Sequence, residues 1–114
     1  ELETAARCNL PLVCVVGVDH QWGLEVGVYK RTFGQGTEET GTHWSKEVRM
    51  DKVAEGFGCY GEYVTNAADI QPAIQRAYAS GKVGVIHVVI DPKANSEEMP
   101  KYAEFRTWYA EGTQ

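Results

Sequence analysis

An α/β fold with a doubly wound, mainly parallel sheet and helices on both faces is the class this chain predicts, and three observations carry the prediction. Two apolar runs rich in β-branched residues, 12–17 and 83–90, read as strands covered on both faces. Segments with helical spacing alternate with the strands. The first apolar run breaks abruptly after Val18 into Asp19-His20-Gln21-Trp22-Gly23. This puts a carboxylate, an imidazole and an amide at the carboxyl end of a strand, where sheets of this class hold their ligands.

The elements follow in order. Residues 1–8 read as a helix with Leu2, Ala5 and Ala6 on one side, and Glu1 and Glu3 suit its early part through the macrodipole. Asn9-Leu10-Pro11 then leads into the first strand, 12–17. Leu24, Val28, Tyr29 and Phe33 recur at helical spacing and predict a helix over about 22–32, ended by Gly34. Residues 34–42 are polar, glycine-rich and without period, and so read as a loop of the kind that closes over ligands. A short helix is expected over 51–56 with Asp51 as its N-cap, then a strand over about 62–65. Asp69 is placed to cap the next helix, in which Ile70, Ala73, Ile74, Ala77 and Tyr78 share a face and Gly81 marks the end. Pro72 is tolerated there because the first helical turn has no intrahelical donor to lose. The second long strand, 83–90, closes at Asp91-Pro92. In the tail, Met99, Tyr102, Phe105 and Trp108 or Tyr109 form a helical stripe, read as docking on a core.

Composition narrows the class of function. A chain of 114 residues with 43% hydrophobic content suits one modest domain. Its net charge of -5 and pI of about 5.1 lack the basic footprint of a nucleic-acid binder. The three cysteines, Cys8, Cys14 and Cys59, contain no Cys-x-x-Cys pair and give an odd count, so a disulfide framework or zinc site is not expected, and a reducing, cytoplasmic compartment fits. No stretch reaches the roughly 20 apolar residues of a membrane span, and no basic signal-peptide region opens the chain.

Four places carry candidate chemistry. Gly56-Phe57-Gly58-Cys59-Tyr60-Gly61 spells the dinucleotide pattern Gly-x-Gly-x-x-Gly. That fingerprint needs a strand before it and a helix after it, whereas here a helix precedes and a strand follows, so the glycines read as a helix stop and turn. His43 and Trp44 read as exposed loop residues beside the lid. His87, inside an apolar strand, reads as a satisfied core histidine. The fourth place is Asp19-His20-Gln21, which on its residues alone is either a polar loop or a ligand site. A hard divalent cation such as Mg²⁺ would be served by the Asp19 carboxylate and the Gln21 backbone carbonyl, with further ligands from elsewhere.

The chain resembles the thiamine diphosphate-dependent decarboxylases and carboligases, typified by acetolactate synthase and benzaldehyde lyase, over nearly its whole length. The residues that carry the resemblance are Glu1-Leu2-Glu3-Thr4-Ala5-Ala6-Arg7, Asn9-Leu10-Pro11 with its apolar strand, Asp51 to Gly58, Gly61-Glu62-Tyr63-Val64, and the run from the next helix to Asp91-Pro92. The first of these is similar to the middle of the family's cofactor motif, which begins with Gly-Asp-Gly and closes at a paired-Asn turn. Trp22-Gly23 fixes the register, so that Asp19 stands where the family has its metal-binding Asn, Val18 stands where it has the other Asn, and Gln21 offers the carbonyl.

The resemblance implies a fragment of a larger Rossmann-like thiamine diphosphate-binding domain, with Mg²⁺ held by Asp19 and Gln21 and thiamine diphosphate lying against Asp19, His20, Gln21, Trp22, Gly23 and Leu24. It implies a lyase or carboligase acting on 2-keto acids, in a homo-oligomer. The family's Gly-Asp-Gly does not occur in the chain, which opens without a methionine, so residues 1–114 are expected to be the C-terminal portion of that domain and inactive alone. Neither the pyrimidine-binding domain nor its activating glutamate is expected here, and no general base is assigned. The alternatives are an oxalyl-CoA decarboxylase-like or acyl-transferring member, or a non-catalytic relative that serves assembly.

Overall fold

A computed structural model describes residues 1–34 and 41–93. Its described residues form helices α1 (Leu2–Arg7), α2 (Gly23–Phe33), α3 (Met50–Gly56) and α4 (Ile70–Ala79), with a 3₁₀ turn at Ala67–Asp69. The strands are β1 (Val13–Val18), β2 (Tyr60–Val64) and β3 (Gly84–Val89). They form one sheet in the order β1-β3-β2, and both pairings are parallel. The α/β class with a parallel sheet therefore holds. The helix expected over 99–109 and residues 35–40 of the expected loop lie outside the described residues.

Two apolar clusters sandwich the sheet, because successive strand residues point to opposite faces. On one face Ala5 of α1 and Ala54 of α3 pack with Cys59, Val83 and Val85, joined by Leu12, Cys14 and Val16. On the other, Ala73 and Ala77 of α4 pack with Val64, Ile86 and Val88, joined by Val13, Tyr60, Ile70 and Ile74. Strand β3 is central, and its run from Gly84 to Val88 is buried throughout, as a strand covered on both sides must be. Small helix residues let the layers approach closely. A Cβ on Gly84 would lie 2.8 Å from that of Ala77.

Local chemistry sets the element ends. Helix α1 stops where Asn9 takes a left-handed conformation (φ 51°), with the Leu10 N–H donating to the Ala5 carbonyl and the Asn9 N–H to the Ala6 carbonyl. This double bond pattern satisfies carbonyls the helix would otherwise leave open. The Asn66 side chain accepts from the Ala68 N–H and opens the 3₁₀ turn ahead of α4.

Four expectations need correction. Asp51 is not an N-cap: α3 begins at Met50 after Arg49, and Asp51 lies inside its first turn, buried and paired with the Arg49 guanidinium. The Asp69 side chain makes no capping bond to α4. Tyr78 turns away from the packed face of α4 and is 62% exposed. Strand β1 is not covered on both faces as expected: it is an edge strand, and its Val15 is 48% exposed. Gly81, left-handed at φ 67° just past Ser80, does end α4 as expected. The glycine pattern does have a helix before it and a strand after it, with Gly56 ending α3, Gly58 in the connection and Gly61 inside β2. Gly58 takes φ 82°, and Gly61 brings β2 so close to α3 that a Cβ there would stand 2.4 Å from the Asp51 carbonyl oxygen.

Candidate functional site

The sheet runs out at Val18, paired with Val89, and the chain turns sharply just beyond. His20 makes the turn with φ 59°, a left-handed conformation uncommon for a side chain with a Cβ. The Gln21 N–H donates to Asp19 Oδ1 at 3.3 Å, a local side-chain turn typical of aspartate. The other carboxylate oxygen, Oδ2, lies over the start of α2, where it would be 3.2 Å from a Cβ on residue 23. Glycine at that position leaves the carboxylate room above the helix N-terminus.

A second segment holds the turn from outside. The Trp22 N–H donates to the Thr42 carbonyl at 2.7 Å and the Trp44 N–H to the His20 carbonyl at 3.0 Å, so Gln21 and His43 face each other in an isolated antiparallel bridge. The indoles of Trp22 and Trp44 meet edge to face at 5.5 Å. In this bridge pattern the Gln21 carbonyl is not used, and it accepts no hydrogen bond among the described residues. The Gln21 side chain reaches toward the segment after β3, its Nε2 donating to the Pro92 carbonyl at 3.5 Å, the long end of hydrogen bonding.

Among the described residues, Asp19 and Gln21 thus present one carboxylate without a cationic partner and one free backbone carbonyl, two residues apart, at the carboxyl end of β1. Both are hard oxygen donors, the chemistry a small divalent cation takes. Among the described residues no group of three His, Cys, Asp or Glu side chains is arranged to hold a metal. A cation bound at this turn would therefore need most of its ligands from a bound molecule, from water or from outside the described residues.

Of the other sequence candidates, His20, Gln21 and Leu24 are half-buried, while Trp22 and Gly23 are exposed. His43 is exposed, its Nδ1 3.2 Å from the Thr42 hydroxyl. Trp44 is half-buried rather than exposed, with its indole N–H buried and without a partner among the described residues. No periodicity in 41–44 signals this pairing with the turn.

Beneath the turn lies a polar group that the sequence did not single out as a cluster. His87 is fully buried on β3, and its Nδ1 accepts the Met50 N–H at 3.1 Å. Burial pushes its pKa below the usual histidine value, with the nearby Asp51 opposing. Arg49 grips Asp51 through two bonds of 2.8 and 2.6 Å and lies over the Tyr63 ring at 4.0 Å. That guanidinium holds the Asp51 carboxyl below the ordinary carboxylate range. The His87 ring also meets Tyr63 at 4.9 Å and His20 at 6.1 Å between ring centroids. The expectation of a satisfied core histidine holds for Nδ1 only, since the His87 Nε2 has no partner among the described residues.

The family described as thiamine pyrophosphate enzyme, C-terminal TPP binding domain, matches residues 1–88. The chain belongs to this family. An acetolactate synthase large subunit from Mycobacterium tuberculosis is 34% identical over 92 residues, covering 81% of this chain and 16% of its own length. Oxalyl-CoA decarboxylase from Escherichia coli is 31% identical over 103 residues, 85% of this chain and 17% of that protein. A 2-hydroxyacyl-CoA lyase from Saccharomyces cerevisiae is 31% identical over 96 residues, 81% of this chain and 16% of that protein. The chain therefore spans about a sixth of the length of these relatives. None of the described helices is long and apolar enough to cross a membrane.

Proposed function

We propose that this chain is part of a thiamine diphosphate- and Mg²⁺-dependent lyase or carboligase acting on 2-keto acids, acetolactate synthase-like, and that the turn after β1 holds the cofactor's diphosphate through the metal. Asp19 supplies a carboxylate oxygen to Mg²⁺ and Gln21 its backbone carbonyl, while His20, Trp22, Gly23 and Leu24 line the diphosphate. The observation that carries this reading is the pair of uncommitted oxygen donors at the carboxyl end of a parallel strand, in a chain of the thiamine pyrophosphate family. The residues fit the group. Asp19 is not neutralised by a cation among the described residues, and Gly23 keeps space open beside its Oδ2.

The cofactor, when bound, supplies an electron sink that the side chains of this chain lack. What the chain contributes is binding and orientation. The left-handed turn at His20 aims the Gln21 carbonyl and the Asp19 carboxylate to one side, and the bridge to 42–44 holds them there. The N-terminus of α2, with unpaired N–H groups and a positive dipole end, faces the same place and favours phosphate oxygens. The assembled protein is a cytoplasmic homo-oligomer on this reading, and the 114-residue chain alone is inactive.

Two of the relatives support a second reading, in which the substrate is a CoA thioester, because oxalyl-CoA decarboxylase and 2-hydroxyacyl-CoA lyase match the chain nearly as well as acetolactate synthase does. The metal and cofactor assignment is the same under both. Calorimetric titration of the full-length protein with thiamine diphosphate, with and without Mg²⁺, tests that assignment against Asp19→Ala. The substitution is expected to weaken Mg²⁺-dependent binding by at least about ten-fold, about 1.4 kcal/mol. Unchanged affinity overturns the assignment.

A further inference from the structure

Directly below the proposed metal turn, two buried imidazole nitrogens lack partners among the described residues: Nδ1 of His20 and Nε2 of His87. Their rings sit 6.1 Å apart, tilted by 42°. Buried polar atoms in folded proteins are almost always paired, so two such atoms on neighbouring rings call for a physical account. The protonation pattern of His87 supplies one. Its Nδ1 accepts the Met50 N–H and therefore carries no proton, so a neutral ring must carry its proton on Nε2. Burial favours the neutral ring, with the nearby Asp51 opposing. His87 thus holds a buried N–H donor with no acceptor, and His20 holds a buried nitrogen able to accept.

We propose that His87 is a positioning residue for the metal turn, its Nε2–H pairing with His20 Nδ1, directly or through one buried water, and so locking the left-handed backbone that aims Asp19 and Gln21. The separation suits such a link. Two imidazoles joined by an N–H···N bond of about 3 Å have centroids about 5 to 5.5 Å apart, so a small ring rotation closes the gap and a water spans it. The link would run from the central strand to the strained residue of the turn. Behind His87, the Met50 N–H, the Asp51–Arg49 pair and the Tyr63 ring fix its orientation. An analogous arrangement orients histidines around metal sites, where partners outside the ligand set govern affinity.

This inference rests on the assignment of Asp19 and Gln21 as metal ligands for its effect, and on the two rings alone for its geometry, and the tests separate the two. A high-resolution crystal structure of the full-length protein without added cation should show the two nitrogens within about 3.2 Å of each other or of one shared water. Rings with neither link overturn the proposal whatever the metal does. The second test measures Mg²⁺ affinity in the presence of thiamine diphosphate for His20→Asn, His20→Gly and His87→Leu. Asparagine keeps an acceptor where Nδ1 was and tolerates φ near 59°, whereas glycine tolerates the backbone but removes the acceptor. His20→Asn should stay within about three-fold of wild type, while His20→Gly and His87→Leu should each lose about ten-fold. His87→Leu added to His20→Gly should cost nothing more, because the two residues act through one link. Equal affinity for His20→Asn and His20→Gly, or additive losses in the double variant, overturn the proposal. Loss of the Mg²⁺ requirement in the wild type, or none of it in Asp19→Ala, overturns the ligand assignment instead.

Discussion

At the scale of single residues, the turn after β1 depends on what is absent at position 23 as much as on what is present at 19. Alanine at 23 would favour the helix intrinsically, since glycine is the weaker helix former by about 1 kcal/mol. Its Cβ would nonetheless stand 3.2 Å from Asp19 Oδ2 and push the carboxylate aside. Gly23→Ala is therefore expected to leave thermal stability unchanged or raised while weakening Mg²⁺ binding about ten-fold, and calorimetry on the full-length variant checks both halves. The polar cluster behind the turn predicts a pH response with a definite sign. His87 is faced by Asp51 from α3 and Arg49 just before it, His20 from the turn and Tyr63 from β2, and its folded-state pKa lies below the usual 6.5. The unfolded chain then binds more protons than the folded one as pH drops below 6.5, so stability is fully present above that value and declines beneath it. Asp51, depressed from 3.8, adds a second loss with the same sign below about that pH. Urea midpoints measured from pH 8 to pH 3 should fall in those two stages, and His87→Leu should abolish the first. The position of Asp19 at a strand end was legible from its neighbours. The buried role of Asp51 was not, because an aspartate ahead of a helical run reads equally as a cap, and only the fold brings His87 to it.

Among elements, the two apolar strands were the most legible from their continuous β-branched runs, although only the central β3 is buried on both faces, while β1 lies at an edge with Val15 exposed. Their boundaries agree with expectation to within a residue or two. Helix α4 followed its stripe of Ile70, Ala73, Ile74 and Ala77, but Tyr78 lies at the margin of that stripe and faces out. Strand β2 was harder, because Tyr60-Gly61-Glu62 carries little apolar signal. Glu62 is there for an ion pair with Arg76 of α4, and Tyr60 donates its hydroxyl to the same carboxylate. Gly61 carries the strongest constraint on this part of the fold. The backbone of β2 passes under the first turn of α3 with no space for a methyl group, a contact that positions Met50 and Asp51 over His87. Gly61→Ala must separate the two backbones and is expected to cost about 2 to 4 kcal/mol, measured by chemical denaturation. A cost below about 1 kcal/mol would mean that α3 can lift away from β2 without penalty.

For the molecule as a whole, the sequence predicted a parallel sheet but not its order, because nothing in an apolar strand says which neighbour it takes. The order β1-β3-β2 places the latest strand in the middle and leaves the outer edges of β1 and β2 without a partner among the described residues. Open strand edges invite pairing with other chains. Apolar side chains add to this: Val15 on β1 is 48% exposed, Leu10 before it 45%, and Val53 on α3 and Phe57 just after that helix are 54% and 48% exposed. Against these attractions stands a net charge of -5, whose mutual repulsion weakens as salt shortens the screening length to about 10 Å at 0.1 M. The 114-residue chain prepared by itself is therefore expected to self-associate, and more so at 0.5 M than at about 0.05 M salt. Light scattering should return a mass above the 12.6 kDa of one chain. Because both edge and face contribute, Val15→Lys, which places a charge on an edge strand, should lower that mass, whereas a lysine at exposed Gln75 of α4, away from the open edges, should not. A chain that stays monomeric at every salt concentration would show that the edge of β1 is protected within the chain, and the free strand would then have no part in assembly.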